Sequence, residues 1–355
     1  MPAGFPPIAP RALAWVACLL LASQLAGLPA ACAQTASGEA RSLPAPLAVA
    51  LSYDEAERDV FAKAEAGKLV TAELFSAALV AGGVCAAEER QAYEARFRQL
   101  AGRLQRRLHE AGDGAADAAT RAAVVHAFLH EEILTAAYDL ACSRVSQAMD
   151  TGRYNCVSAT ILFNALTAEV GLETSGGESP AHVVSIVRTP GAPLHVETTC
   201  PRWFELSGSQ AAQVGESLRD SHPRLGETRP RAVSAQGNGP PPRPATPSYR
   251  TLETPQLAAL VYYNVAVDLA EQRRFAEAIA ANYKALRLDP GAGNARTNLL
   301  AAINNWALDL AQREQFAEAI ELLAHGRAFA PDHPTFAIND AALHERWARS
   351  LVQPK

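Results

Sequence analysis

Aromatic residues are scarce in this chain: Phe, Trp and Tyr together make up 6% of its 355 residues. A core built with so few rings must rest on Ala, Leu and Val, side chains that let helices pack closely against one another. Lysine is scarcer still, with 4 residues against 28 arginines, which reads as compositional bias rather than mechanism. No run of the chain concentrates basic residues, and the net charge is −5. Phosphate neutralisation needs clustered Lys and Arg, so nucleic acid is excluded as the main partner. Apolar residues at 49% and charged residues at 19% exclude wholesale disorder and fibrous classes. What remains is a helix-rich protein, too long for one comfortable core and therefore of two or three domains.

Long apolar runs are also missing, with one exception at the start. Arg11 precedes the run Ala12 to Leu28, and the small-residue site Ala31-Cys32-Ala33 follows before Gln34. This is the pattern of a secretory signal peptide over residues 1–33, cleaved after Ala33. The expected location is periplasmic or extracellular, with no stable membrane span after cleavage. An uncleaved anchor or a lipid anchor on Cys32 remains as an alternative, although Pro29-Ala30-Ala31 lacks the aliphatic residue a lipoprotein signal carries.

Cysteine is sparse too. Cys18 and Cys32 fall in the leader, leaving Cys85, Cys142, Cys156 and Cys200. Four are too few for a disulfide framework, and no two have the spacing of a zinc ligand pair. A single long-range bridge such as Cys85–Cys142 would add about 4 kcal/mol in the loop-entropy picture, but nothing in the spacing demands it.

Residues 52 to 149 read as successive helices. Tyr53 to Ala66, Thr71 to Ala81, Ala86 to Ala111, Ala116 to Leu134 and Ala136 to Met149 each carry apolar residues at helical spacing. The Arg-rich face of the third reads as a solvated face, because Glu88, Glu89 and Glu94 intersperse it. After the turn Asp150-Thr-Gly-Arg153, a further helix runs from Asn155 to Val170. A loop containing Gly176-Gly177 leads to two short β-branched stretches, Ala181 to Arg188 and Leu194 to Thr199, which read as a hairpin. Residues 206–254, with Gly-Asn-Gly-Pro-Pro-Pro-Arg-Pro at 237–244, read as a stiff linker.

From about Leu257 the chain repeats itself. Phe275-Ala-Glu-Ala-Ile279 recurs as Phe316-Ala-Glu-Ala-Ile320, and Pro290 recurs as Pro331. Small residues at Ala266, Ala278, Ala307 and Ala319 would let paired helices approach closely. The pattern resembles the tetratricopeptide repeat (TPR), with units near 259–292 and 300–333 and a cap helix at 335–352. Three departures stand out. The period is longer than usual, which places extra helix around Asn294 to Leu300; Asn282 stands where an aromatic is usual; and Gly326 stands where Ala is usual. Trp347 of the cap is expected to pack inward.

The residues that carry chemistry lie between. A nucleophilic cysteine needs an imidazole beside it and a group that orients that imidazole. Cys156 falls in the first turn of its helix, where unpaired amide N–H groups favour a thiolate, and Asn155 can cap that turn. His182 opens the first strand of the hairpin and Glu197 lies on the second. If Glu197 faces Val184 and His182 faces Thr199, the two become diagonal neighbours on one face. A slip of one residue would send them to opposite faces. Alternatives stay open at this point. His195 shares a face with Glu197 and competes for the role of base. His126 and His130, one helical turn apart, would make half a metal site but lack a third ligand. Each of Cys156, His182 and Glu197 also has a plain structural reading as a buried or strand-end residue.

The segments Gly152-Arg-Tyr-Asn-Cys-Val-Ser-Ala-Thr, Pro180-Ala-His-Val-Val and His195-Val-Glu-Thr-Thr resemble the transglutaminase-like superfamily, and Ala122 to Leu140 resembles the helix leading into its core. The resemblance covers about residues 50–205. It implies an α+β fold, a helix-rich papain-like cysteine protease core with antiparallel strands, followed here by the all-α TPR array at 255–355. It implies Cys156 as nucleophile, His182 as general base and Glu197 as orienter, where Asp is usual. No metal or other cofactor is implied. The oxyanion would be held by the Cys156 backbone N–H, with Tyr154 as a guess for the side-chain donor. The expected function is an exported thiol enzyme acting on an amide bond of a protein or peptide, by hydrolysis or by acyl transfer to an amine. Its repeats would recruit a protein partner. The alternative is a degenerate scaffold whose repeats alone bind.

Overall fold

The computed structural model describes residues 52–112, 117–206 and 249–352. The expected leader and residues 207–248 of the expected linker lie outside the described residues. The first helix, α1 (Glu55–Glu65), starts on a reciprocal cap: Asp54 accepts from the Glu57 N–H at 2.8 Å and Glu57 accepts from the Asp54 N–H at 3.3 Å. Helix α2 (Leu74–Ala81) is buried along nearly its whole length and stops at Gly82. Helix α3 (Ala87–Glu110) buries only the stripe Phe97, Leu100, Ala101 and Leu104, and Phe97 stacks on Phe75 of α2 at 4.2 Å. Of its arginines, Arg103 is engaged by Glu132 and Arg107 by Glu131.

Helix α4 (Ala118–Glu132) is capped by Asp117. The helix expected over Ala136 to Met149 is not formed as such. Only α5 (Val145–Thr151) is helical, and the preceding segment runs extended beside Arg153–Asn155. The Ala136 N–H is given to the Gly152 carbonyl and the Asp139 N–H to the Tyr154 carbonyl. Tertiary pairing with the approach to the next helix outweighs a local helical pattern here. That next helix, α6 (Cys156–Glu169), is buried from Val157 to Thr167 and forms the spine of the core.

Four antiparallel strands lean on α6 in the order β3-β2-β1-β4: β1 (Thr174–Ser179), β2 (His182–Val187), β3 (Leu194–Val196) and β4 (Arg250–Leu252). Two expectations are corrected here. The stretch containing Gly176-Gly177 is a strand, not a loop. The end of the expected linker, Arg250 to Leu252, is the fourth strand, paired to β1 through Gly176↔Leu252. The glycines are a packing requirement. A Cβ on Gly176 would stand 2.7 Å from Leu257 Cδ2, and one on Gly177 would stand 2.9 Å from Ile186 Cδ1.

Five helices follow: α7 (Thr254–Glu271), α8 (Phe275–Leu288), α9 (Gly293–Gln312), α10 (Phe316–Phe329) and α11 (Pro334–Val352). They form two helical hairpins and a closing helix, and the segment Asn294 to Leu300 is helical within α9. Ala266, Ala278, Ala307 and Ala319 are fully buried at the helix crossings. Two apolar clusters result. The first joins α1–α6 and the sheet to Leu257–Tyr262 of α7 and to Ala285 and Leu288 of α8. The second holds the two hairpins together and is closed by Phe336 and Leu343 of α11, with Trp347 stacked on Phe316. The first hairpin therefore belongs to both clusters. The chain is a helix-rich α+β protein with a small antiparallel sheet, and among the described residues no helix is long and apolar enough to cross a membrane.

Candidate active site

Cys156 occupies the first position of α6 because Asn155 ends the extended approach and caps the helix. Asn155 Oδ1 accepts from the N–H groups of Val157 and Ser158 at 2.9 and 3.1 Å, and Ser158 Oγ accepts the Asn155 N–H at 3.0 Å. The same two side chains fasten the extended 136–144 segment, Asn155 Nδ2 to the Leu140 carbonyl and Ser158 Oγ to the Cys142 carbonyl. The half-buried thiol is thus held on a rigid element.

His182 is the first residue of β2 and is buried. The β2–β3 register, Ser185↔Val196 and Ile186↔His195, is the one that keeps His182 and Glu197 on one face. Their side chains meet, with His182 Nε2 at 2.6 Å from Glu197 Oε2. Glu197 is buried, one residue past β3, and its other oxygen accepts from Thr199 N–H at 3.1 Å and Thr199 Oγ1 at 2.6 Å. Both carboxylate oxygens are therefore fixed. Nε2 is committed to Glu197, and Cys156 lies close enough to His182 to bear on its protonation. Burial alone would push the imidazole down, but the Cys156 and Glu197 side chains beside it outweigh that and hold His182 up at about 10.

The other histidines fall elsewhere. His195 packs edge-on against Tyr249, and its carbonyl accepts the Trp203 indole N–H. His126 and His130 pack against each other with centroids 4.7 Å apart and ring planes tilted by 54°. His130 Nε2 bonds the Thr198 carbonyl at 3.0 Å. Burial first, and then the neighbouring His130, push His126 down to about 4. The pair buttresses the strand end. Among the described residues no group of three or more His, Cys, Asp and Glu side chains gathers as a metal site would require.

Tyr154 also buttresses rather than reaches the thiol: it is buried, and its hydroxyl bonds the Thr199 carbonyl at 3.4 Å. The phenol beside Cys156 is Tyr138, which lines the same cleft. Nothing in the sequence marked Tyr138, because it falls in the stretch that reads as helix. All four cysteines described are free, so the Cys85–Cys142 bridge is not formed. Burial pushes the other three thiols up, Cys85 to about 12 with Asp54 nearby adding to the rise.

Above Cys156 and His182 lies a cleft of about 120 Å³, bounded by Tyr138 and Leu140 on one side and by Leu260 and Tyr263 of α7 on the other. A larger cavity of about 250 Å³ opens between α3 and the end of α4. Its arginines, Arg96 and Arg103, are engaged by Asp150 and Glu132, and it contains no nucleophile. The cleft over Cys156 is the one with chemistry. Comparison with protein-family models, with characterised proteins and with solved structures finds no match for the chain, so the site stands on its own geometry.

Proposed function

We propose that the chain is an exported thiol enzyme of transglutaminase-like type that acts on an amide bond of a protein or peptide. One observation carries this reading: a buried imidazole lies between an oriented carboxylate and a cysteine at the start of a helix. Cys156 Sγ attacks the acyl carbon, forming the C–S bond. The carbonyl oxygen takes the Cys156 backbone N–H, and the nearby Tyr138 hydroxyl donates to the oxyanion. His182 protonates the departing amine, and the C–N bond breaks to leave a thioester. Water or a second amine then attacks the thioester carbon, His182 takes its proton, and the C–S bond breaks to return the Cys156 thiolate, so the outcome is hydrolysis or acyl transfer. The chemistry assigned to Cys156, His182 and Glu197 needs no cofactor.

The C-terminal hairpins, read as TPR-like, serve in this proposal to bring a protein partner to the cleft through the surface beyond α8. Iodoacetamide at neutral pH tests the nucleophile. Cys156 is expected to react fast, while Cys85, Cys142 and Cys200, with their thiols pushed up, stay behind. Cys156→Ala is expected to abolish amide-directed activity without loss of fold. Activity retained in that variant would sink the enzyme reading.

A further inference from the structure

The cleft over Cys156 is not made by α1–α6 and the sheet alone. One wall comes from α7, the first helix of the C-terminal hairpins, through Leu260 and Tyr263. Leu260 is buried in the first apolar cluster, so the wall is anchored rather than draped. Tyr263 is half-buried and packs against the same cluster, so its ring is seated on the core while lining the cleft with Tyr138.

Size limits what can enter: the cleft is about 120 Å³, short of the roughly 150 Å³ in which an enclosed apolar cavity takes up benzene.

We propose that Tyr263 is the specificity-determining residue of the cleft, its ring narrowing the path to Cys156 so that only a slender acyl chain reaches the sulfur. This rests on Cys156 being the nucleophile. The C-terminal region is then part of the active site, and the acyl carbon is presented at the end of a thin chain rather than within a bulky backbone.

The test uses the full-length protein and two alkylating probes, iodoacetamide and its N-benzyl derivative, with labelling of Cys156 read by peptide mass spectrometry. Relative to their ratio on free glutathione, the wild-type protein is expected to disfavour the benzyl probe by about tenfold or more, the scale on which a pocket rejects excess bulk. Tyr263→Ala should bring the ratio close to that of glutathione, and Tyr263→Phe, which keeps the ring, should preserve the discrimination. If the alanine variant does not fold, Tyr263→Leu serves with the same readout. Equal discrimination in wild type and Tyr263→Ala, or none in wild type, overturns the proposal while leaving a fast-reacting Cys156 intact. Slow iodoacetamide labelling of Cys156, no faster than Cys200, defeats the nucleophile reading instead. The probe ratio over long exposure still decides the wall.

Discussion

Glu197 carries one methylene more than the aspartate usual beside such an imidazole, and the structure accommodates it by placing it one residue past the end of β3. There Oε2 reaches His182 while Oε1 is tied to Thr199. Glu197→Asp is expected to withdraw the carboxylate from His182 and slow alkylation of Cys156 by about tenfold, less than the roughly 10²–10⁴-fold a positioned acid–base group contributes outright. Glu197→Gln keeps the hydrogen bond but removes a charge that holds His182 up at about 10; its titration, followed by NMR of the ring, should move down. The same shift links to stability. Below the ordinary value of 6.5 the imidazole is charged whether folded or not. Between 6.5 and about 10 the folded chain keeps a proton the unfolded chain has lost, so stability falls as pH rises through that window. His126 does the reverse: held down to about 4, it costs stability as pH drops from 6.5 toward 4. Urea midpoints should peak near pH 6.5, the alkaline limb flattening in His182→Gln and the acid limb in His126→Phe. His182 and Glu197 were legible as a pair only in one of two hairpin registers, the one the chemistry requires, and Cys156 joined them through the family resemblance rather than through parity. Tyr138 and Tyr263 were not legible, since nothing local says that an extended segment and a distant helix will face the same thiol.

At the scale of elements, amphipathic helices were legible wherever one face is buried, as in α3, and the two hairpins were legible from their repeated Phe-Ala-Glu-Ala-Ile. The strand β1 was not, because its glycines serve α7 and Ile186 rather than any local preference. Gly326 is the same kind of case. The Phe336 ring fills the space beside it, and a Cβ there would lie 2.5 Å from Cε1. Phe336 is fully buried and closes the second cluster, so the closing helix is fitted to the glycine. Gly326→Ala gains helix propensity but forces the ring away, and the overpacking should cost about 1–3 kcal/mol. A lowered melting temperature with α11 losing amide-exchange protection first would bear this out. A stabilised variant would show that Phe336 has room to move.

The whole molecule is joined across the boundary its sequence suggests. A buried carboxylate on α1, Glu57, accepts from Lys284 of α8 at 2.7 and 2.8 Å and from the Tyr262 hydroxyl at 3.1 Å. Arg144 before α5 pairs with Asp268 of α7, and Leu257–Tyr262 lie in the first apolar cluster. Cutting the chain at the expected linker therefore damages both pieces. A fragment of residues 50–205 lacks β4 and exposes the β1 edge together with the surface that α7 covers. A fragment of residues 255–355 exposes Leu257, Leu260 and Val261, and leaves Lys284 without its carboxylate. Losing one partner of a buried ion pair alone costs about 3–5 kcal/mol, a large share of a domain's stability. Neither fragment should give a cooperative thermal transition when expressed alone. Co-expressed, the two should associate and restore fast iodoacetamide labelling of Cys156, provided the second begins before β4. A cooperatively folded 255–355 fragment that binds proteins independently would instead mark the hairpins as a separate module.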